Sequence, residues 1–253
     1  MTTFTKSKLF LVACVLGIIL ADLWHDVHWL YYLTPFLLFV VYLAFGVTTL
    51  GANLFTKSYT NPENKTAQVA LTFDDGPNEN TKQVLQVLKK HDAKATFFCI
   101  GQKIEKYPEI LKRIVDDGHS VGNHSYSHSN YFPLFSRKKI KHEIQRTTSL
   151  IEEITELKCH LFRPPFGVIN PKVAAGAEAT DHNIIGWNLR TFDTSRNYKK
   201  VIKQVKKKLR AGSVVLLHDD RSNTAKVLDE ILLYGKSKGF TFVTVEEIFE
   251  FEK

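Results

Sequence analysis

Cysteine is scarce: Cys14, Cys99 and Cys159 are an odd number in 253 residues and none shows C-x-x-C spacing. A disulfide framework and a cysteine metal site are thereby excluded, and Cys99, inside an apolar run, is expected to be a small buried hydrophobe. No internal repeat or low-complexity tract is visible, so repeat and biased-composition architectures are set aside. Charge is missing from two stretches, residues 9–21 and 29–54, whereas everything after Lys57 has ordinary soluble composition. At ~1.5 Å per helical residue the first stretch reaches only ~20 Å, while the second exceeds the ~30 Å hydrocarbon core of a bilayer. Residues 1–57 are therefore expected to form a membrane anchor of one or two transmembrane helices, the second at about 29–54, with a helical hairpin preferred. No A-x-A-like site precedes Asp22, which argues against a cleaved signal peptide. Leu11-Val12-Ala13-Cys14 looks like a lipoprotein box, but only five apolar residues precede Cys14 and the run continues past it.

The link between the two runs lacks Lys and Arg but contains Asp22 and Asp26, with lysines 6, 8 and 57 outside it. Two crossings and the positive-inside rule would put the rest of the chain in the cytoplasm; a single crossing would put it outside. Trp24, Trp29, Tyr31 and Tyr32 flank this link, and they either sit in the headgroup layer or pack between the helices. The net charge of +8 lies mostly outside the anchor.

Beyond Lys57, residues 58–66 read as a linker through Asn61-Pro62-Glu63-Asn64. The chain then alternates. Short β-rich runs at 69–73, 95–100, 120–124, 161–165, 183–188, 213–218 and 240–245 are separated by helical patterns. Ile140, Ile144, Ile151 and Ile154 share one helical face, as do Val201, Val205 and Leu209. Gly118, Gly212 and Gly239 are expected to stop three helices. Strands alternating with helices imply an α/β fold with a parallel sheet, and seven repeats in under two hundred residues imply a small or incomplete barrel over residues 67–253.

The polar residues fall at the ends of those strands. Asp74 and Asp75 follow the first, His124 ends the third, Arg163 lies in the fourth, Asp193 trails the fifth and His218 ends the sixth. In a parallel barrel these ends share one face, where residues distant in sequence converge. Asp75, His124 and His128 offer the mixed carboxylate and imidazole ligands that a divalent cation such as zinc takes, leaving a position open for water. The two histidines, four apart, are expected to face one way on a helical turn. Asp74 and His218 remain for proton transfer.

Four ordered motifs carry a family likeness: Thr72-Phe73-Asp74-Asp75-Gly76-Pro77, His124-Ser125-Tyr126-Ser127-His128, Arg163-Pro164-Pro165-Phe166-Gly167 and Leu216-Leu217-His218-Asp219. Over residues 66–250 the chain resembles the NodB-homology polysaccharide deacetylases, carbohydrate esterase family 4. The resemblance implies a distorted (β/α)7 barrel and metal-dependent removal of acetyl groups from N-acetylated sugar polymers, or of O-acetyl groups from xylan. It implies Asp74 as the base for the attacking water and His218 as the acid for the leaving amine. It also implies Asp193 as the partner of His218, Arg163 as the holder of Asp74, and zinc, cobalt, manganese or nickel on Asp75, His124 and His128. Phe166 stands where the family more often has tyrosine, and its backbone N–H is assigned to the oxyanion. Pro165, Leu216 and Trp187 are expected to line the acetyl pocket.

One region departs from the pattern. Where the family typically reads Asp-x-x-Asp-Trp, this chain has Arg190-Thr191-Phe192-Asp193-Thr194. The change at Arg190 removes the usual brace of Arg163, and that at Thr194 removes an aromatic wall, for which Trp187 or Phe192 could substitute. The lysine-rich segment from Lys199 to Arg210 reads as a solvated helix face or a contact for anionic lipid or wall polymer. No aromatics are interleaved with its lysines, so nucleic acid is not expected as a partner. The expected partners are an acetylated polysaccharide and membrane lipid. The competing expectation is a catalytically silent glycan-binding module on the same metal-containing barrel. A surface polysaccharide or peptidoglycan substrate favours a domain on the outer face of the cell membrane.

Overall fold

The computed structural model describes residues 3–63, 66–195 and 197–251. Two apolar helices come first, α1 (Thr3–Asp22) and α2 (Leu30–Thr48), packed against each other as a hairpin. α1 begins six residues before the uncharged run and takes in Lys6 and Lys8, so at 20 residues it is ~30 Å long and matches a hydrocarbon core. α2 is shorter than expected: it stops at Thr48, and a 3₁₀ turn follows at Leu50–Ala52.

The remaining elements are β1 (Ser58–Tyr59), β2 (Gln68–Gly76), α3 (Glu79–Lys90), β3 (Thr96–Cys99), α4 (Gly101–Lys106), α5 (Pro108–Asp116), β4 (Ser120–Asn123) and α6 (Arg137–Thr155). They continue with β5 (Leu161–Phe162), α7 (Pro171–Glu178), β6 (Asn183–Ile185), β7 (Leu189–Arg190), α8 (Tyr198–Lys208), β8 (Ser213–His218), α9 (Thr224–Ser237), β9 (Thr241–Val243) and α10 (Val245–Phe249). The strands form one sheet in the order β1-β6-β5-β4-β3-β2-β8-β7, with β9 also on β2, and every pairing is parallel. Among the described residues β7 and β1 do not pair, so the barrel stays open there.

Two strands were not expected. Ser58–Tyr59, inside the supposed linker, pairs with Ile184 and Ile185; Asn64 and Lys65 of that segment lie outside the described residues. The run at 183–188 divides at Gly186, where a Cβ would meet Thr60 and Leu50, and resumes as β7 on β8. The run at 161–165 ends at Phe162 because Pro164 and Pro165 have no N–H for a ladder. Gly118 and Gly239 follow α5 and α9 with left-handed backbone, as expected, but Gly212 sits in the turn before β8, three residues beyond the cap of α8.

Alternation along the strands sorts the core. Val69, Leu71 and Phe73 of β2 and Val215 and Leu217 of β8 pack outward under α3, α5, α8 and α9. Ala70 and Val214 face inward with Phe98, Leu161 and Ile185. The same register points Thr72, Asp74, Leu216 and His218 into the barrel, with Thr72 opposite Leu216 and Asp74 opposite His218. On α8, Val201 and Val205 are buried and the lysines lie along the solvated side.

Candidate active site

Asp74 and Asp75 are consecutive, and on an unbroken strand their side chains would point to opposite faces. A bulge removes the conflict. Asp74 pairs with Phe98 and Gly76 with Cys99, so Asp75 is the extra residue, held in left-handed backbone at φ 69°. Both carboxylates therefore reach the barrel mouth, at a backbone cost of about 1–2 kcal/mol.

The helical turn expected for His124 and His128 is absent. His124 directly follows β4, and the chain reaches His128 through a loop with left-handed residues at Ser125 and at His128 itself. Polar side chains fix that loop. Asn123 Oδ1 accepts from Ser125 N at 2.8 Å, Ser125 Oγ accepts from His128 N at 3.1 Å, and Glu143 Oε2 accepts from both Ser127 N and Ser127 Oγ at 2.8 Å. Glu143 is buried, and its role was missed in the sequence because it lies mid-helix, in a motif-free segment.

The loop brings the two imidazoles to the carboxylate. Asp75 Oδ1 lies 3.4 Å from His128 Nε2 and 3.6 Å from His124 Nε2, and one donor atom from each residue falls within 4.8 Å of the others. His124 Nδ1 is 2.7 Å from the carbonyl of Arg163, so it carries the proton and leaves Nε2 with a lone pair toward Asp75. Burial above all pushes His128 down to about 4, so its ring is neutral near pH 7. Asp75 Oδ1 is buried and accepts no hydrogen bond. A buried carboxylate oxygen without a donor is costly, and a cation shared with two imidazole lone pairs answers that cost. The donor set thus fits a divalent metal.

Asp74 is paired on its other side. Arg163 Nη1 donates to Asp74 Oδ1 at 2.7 Å. The expected loss of the arginine's brace has been made good by other acceptors: Thr72 Oγ1 at 2.8 Å, the Ile185 carbonyl at 3.1 Å and the Gly186 carbonyl at 2.9 Å, with the Phe98 ring 4.1 Å away. Arg190, exposed, instead lies over the Trp187 and Phe192 rings.

His218 faces Asp74 across the β2–β8 ladder. Asp193 grips it twice, Oδ1 at 2.8 Å from Nδ1 and Oδ2 accepting from the backbone N–H at 2.8 Å. Burial opposes charge on this ring, but the hydrogen bond and charge of Asp193, with Asp74 and Asp75 behind, outweigh it and push His218 up to about 9. Beneath it, Asp219 is fully buried and accepts from Thr81 Oγ1 at 2.5 Å and Asn78 Nδ2 at 3.3 Å, tying the turn after Asp75 to β8. Burial raises this carboxyl to about 7. Its place beside His218 was the only sequence signal for it.

Of the expected pocket residues, Pro165, Phe166 and Gly167 form a 3₁₀ turn with Phe166 left-handed and its ring 4.7 Å from that of His128. Trp187 packs on this turn, since a Cβ on Gly167 would lie 2.3 Å from Trp187 Cη2. Leu216 is buried on the inward face two residues before His218, and its carbonyl accepts from Thr191 Oγ1. Thr194 is exposed in the turn after Asp193.

A family model described as "Polysaccharide deacetylase" matches residues 61–185. A peptidoglycan-N-acetylglucosamine deacetylase of Bacillus cereus is 34% identical over 205 residues, covering 79% of this chain and 74% of that protein. The chain spans about two fifths of the length of longer curated relatives. Among solved structures, the Bc1960 peptidoglycan N-acetylglucosamine deacetylase superposes with a TM-score of 0.72 at 34% identity, over 78% of this chain and 94% of that one. BA3943, described as a CE4 family pseudoenzyme from Bacillus anthracis, gives 0.68 at 33% identity over 74% and 66%. With the sheet, the four motifs and these likenesses in agreement, the chain belongs to the NodB-homology polysaccharide deacetylases, carbohydrate esterase family 4.

Proposed function

We propose that the protein is a membrane-anchored, metal-dependent deacetylase that hydrolyses N-acetyl groups of N-acetylglucosamine-containing glycans. The observation that carries this reading is the buried, undonated Asp75 Oδ1 beside His124 Nε2 and His128 Nε2, flanked by the Arg163–Asp74 and Asp193–His218 pairs. Asp75, His124 and His128 would hold one divalent cation, zinc by preference, with cobalt, manganese and nickel compatible with the same donors. Such a cation polarises an acetyl carbonyl and makes water more acidic.

The side chains supply the proton traffic. Asp74, hydrogen-bonded to the Arg163 guanidinium, takes the proton of the attacking water. As the C–N bond breaks, His218, held protonated by Asp193, delivers a proton to the leaving sugar amine, and acetate is the other product. The Phe166 backbone N–H is assigned to the oxyanion, and Pro165, Leu216 and Trp187 to the walls around the acetyl group. The α1–α2 hairpin anchors the domain in the cell membrane, and a wall or surface glycan places that domain on the outer face.

Likeness to a pseudoenzyme gives the second reading, a silent glycan-binding module. A module that only binds sugar has no use for a proton acceptor and a proton donor on either side of the cation, and this chain keeps both Asp74 and His218. Acetate release from N-acetylglucosamine oligomers by the full chain, with and without chelator, separates the readings. The enzyme releases acetate only when metal-loaded and loses that activity in Asp74→Asn; a binding module releases none in any state.

A further inference from the structure

The hairpin is not joined to the catalytic domain by a free tether. Ile169 N donates to the Val47 carbonyl at 2.9 Å and Phe4 N to the Leu54 carbonyl at 3.0 Å. Leu43, Val47, Leu50, Leu54 and Phe55 share one apolar cluster with Ile169 and Val173. Ile169 is three residues from Phe166, whose ring touches His128. The seam between hairpin and domain therefore lies beside the active-site turn.

The loop on the other side of that turn completes a rim. Asn170 Nδ2 donates to the Pro133 carbonyl at 2.7 Å, which places the Phe132–Leu134 turn next to the seam. Tyr131 is 68% exposed, Leu134 72% and Phe166 46%. Outside the hairpin, the other exposed large apolar side chains among the described residues are Leu157 and Leu233. Three of five thus gather at the site mouth, on the side where the apolar helices enter. Residues 129–142 and 165–177 contain no Asp or Glu but include Arg137, Lys138, Lys139, Lys141 and Lys172. Exposed aromatic and aliphatic side chains backed by basic residues, continuous with apolar helices, match an anionic bilayer surface.

We propose that the catalytic mouth rests on the membrane surface, with Tyr131 and Leu134 seated in the headgroup layer, and that the substrate is an N-acetylated saccharide carried there on a lipid. This rests on the deacetylase and anchor readings above. The headgroup zone is only about 5–8 Å deep on each side of the hydrocarbon core, so a mouth rimmed by these side chains opens where the first sugars of a lipid-carried glycan lie. Distant polymer would have to bend back to reach it. A lipid-carried sugar is met at whichever face bears the domain, so this substrate does not depend on the orientation left divided by the lysine count.

The test uses the full chain in vesicles of phosphatidylethanolamine and phosphatidylglycerol. In a Cys14→Ser background, an environment-sensitive fluorophore on Leu134→Cys is challenged with spin-labelled lipid, and Leu233→Cys on α9 serves as the control. Quenching at least about fivefold stronger at position 134 is expected; equal quenching at both overturns the docking. In parallel, acetate release is measured on an N-acetylglucosaminyl glycolipid embedded in the vesicles and on soluble N-acetylglucosamine oligomers. The embedded sugar is expected to turn over about tenfold faster, and Tyr131→Glu with Leu134→Glu to remove that advantage while soluble turnover stays unchanged. Soluble oligomers turned over as fast as the glycolipid overturn the substrate assignment and leave the deacetylase reading standing. Release from neither sugar, with position 134 quenched, overturns the deacetylase reading and the substrate with it but leaves the docking.

Discussion

Arg163 Nη1 lies 2.7 Å from Asp74 Oδ1 with the guanidinium fully buried, and the same side chain ties β5 to β2 and β6 through Thr72, Ile185 and Gly186. A buried charge pair broken on one side leaves an unpaired charge, at a cost of about 3–5 kcal/mol. Arg163→Met should therefore lower the melting temperature markedly and abolish acetate release, whereas Arg190→Ala, at an exposed side chain, should change stability by no more than about 0.5 kcal/mol. Thermal denaturation of both variants beside the parent checks this. Equal losses in the two would mean that Arg190 still braces the site.

Asp74→Asn and His218→Ala separate proton transfer from binding. Each should slow acetate release by about a hundredfold or more while sugar affinity, read by calorimetry with an oligomer, stays within about threefold. Affinity falling in step with turnover would assign these side chains to substrate binding instead.

The pH profile follows from the Asp193–His218 pair. His218 is pushed up to about 9, against burial, chiefly by the hydrogen bond and charge of Asp193. Its proton-donating form therefore prevails below that value and is lost as pH rises through it, so kcat/KM should fall on the basic side. Asp193→Asn removes the two largest raising contributions and leaves burial opposed only by Asp74 and Asp75, so the basic limb should move to lower pH by more than one unit. A bound cation repels the proton in both proteins alike, which makes the difference between their profiles the quantity to read. Superimposable profiles would place another group in the donor's role.

The seam between hairpin and barrel makes a stability prediction. Leu50, Leu54 and Phe55 are buried among residues of the catalytic domain, and β1 is a strand of its sheet. At roughly 1.5–3 kcal/mol for each buried side chain, a chain starting at residue 58 should be several kcal/mol less stable than one starting at residue 49, as guanidinium unfolding of the two would show. Equal midpoints would mean that the cluster contributes nothing to the domain.

Much of this site was legible because period-2 alternation and strand ends are properties of sequence. Asp74, His124, Arg163, Asp193 and His218 fall at the ends of apolar runs, and in a parallel sheet those ends share a face. Left-handed backbone was not legible. Asp75, Ser125, His128 and Phe166 adopt it without being glycine; around the histidine loop Asn123 accepts from Ser125 N and the distant Glu143 from Ser127 N, and beyond Asp75 the distant Asp219 accepts from Thr81, partners that only the folded chain brings together. Strand β1 was hidden for a related reason: two residues carry no periodicity, and only the β6 edge recruits them. The unbroken apolar run at 29–54 likewise concealed the change at Thr48 from an exposed apolar helix to a turn packed on the barrel.

The central claim is one cation on Asp75, His124 and His128, and zinc titration of the chelator-stripped full chain by calorimetry tests it most directly. The account predicts a single equivalent bound by the parent and by His218→Ala, and binding weakened at least a hundredfold in His124→Ala. Undiminished binding in His124→Ala, or equal loss in both variants, would contradict it.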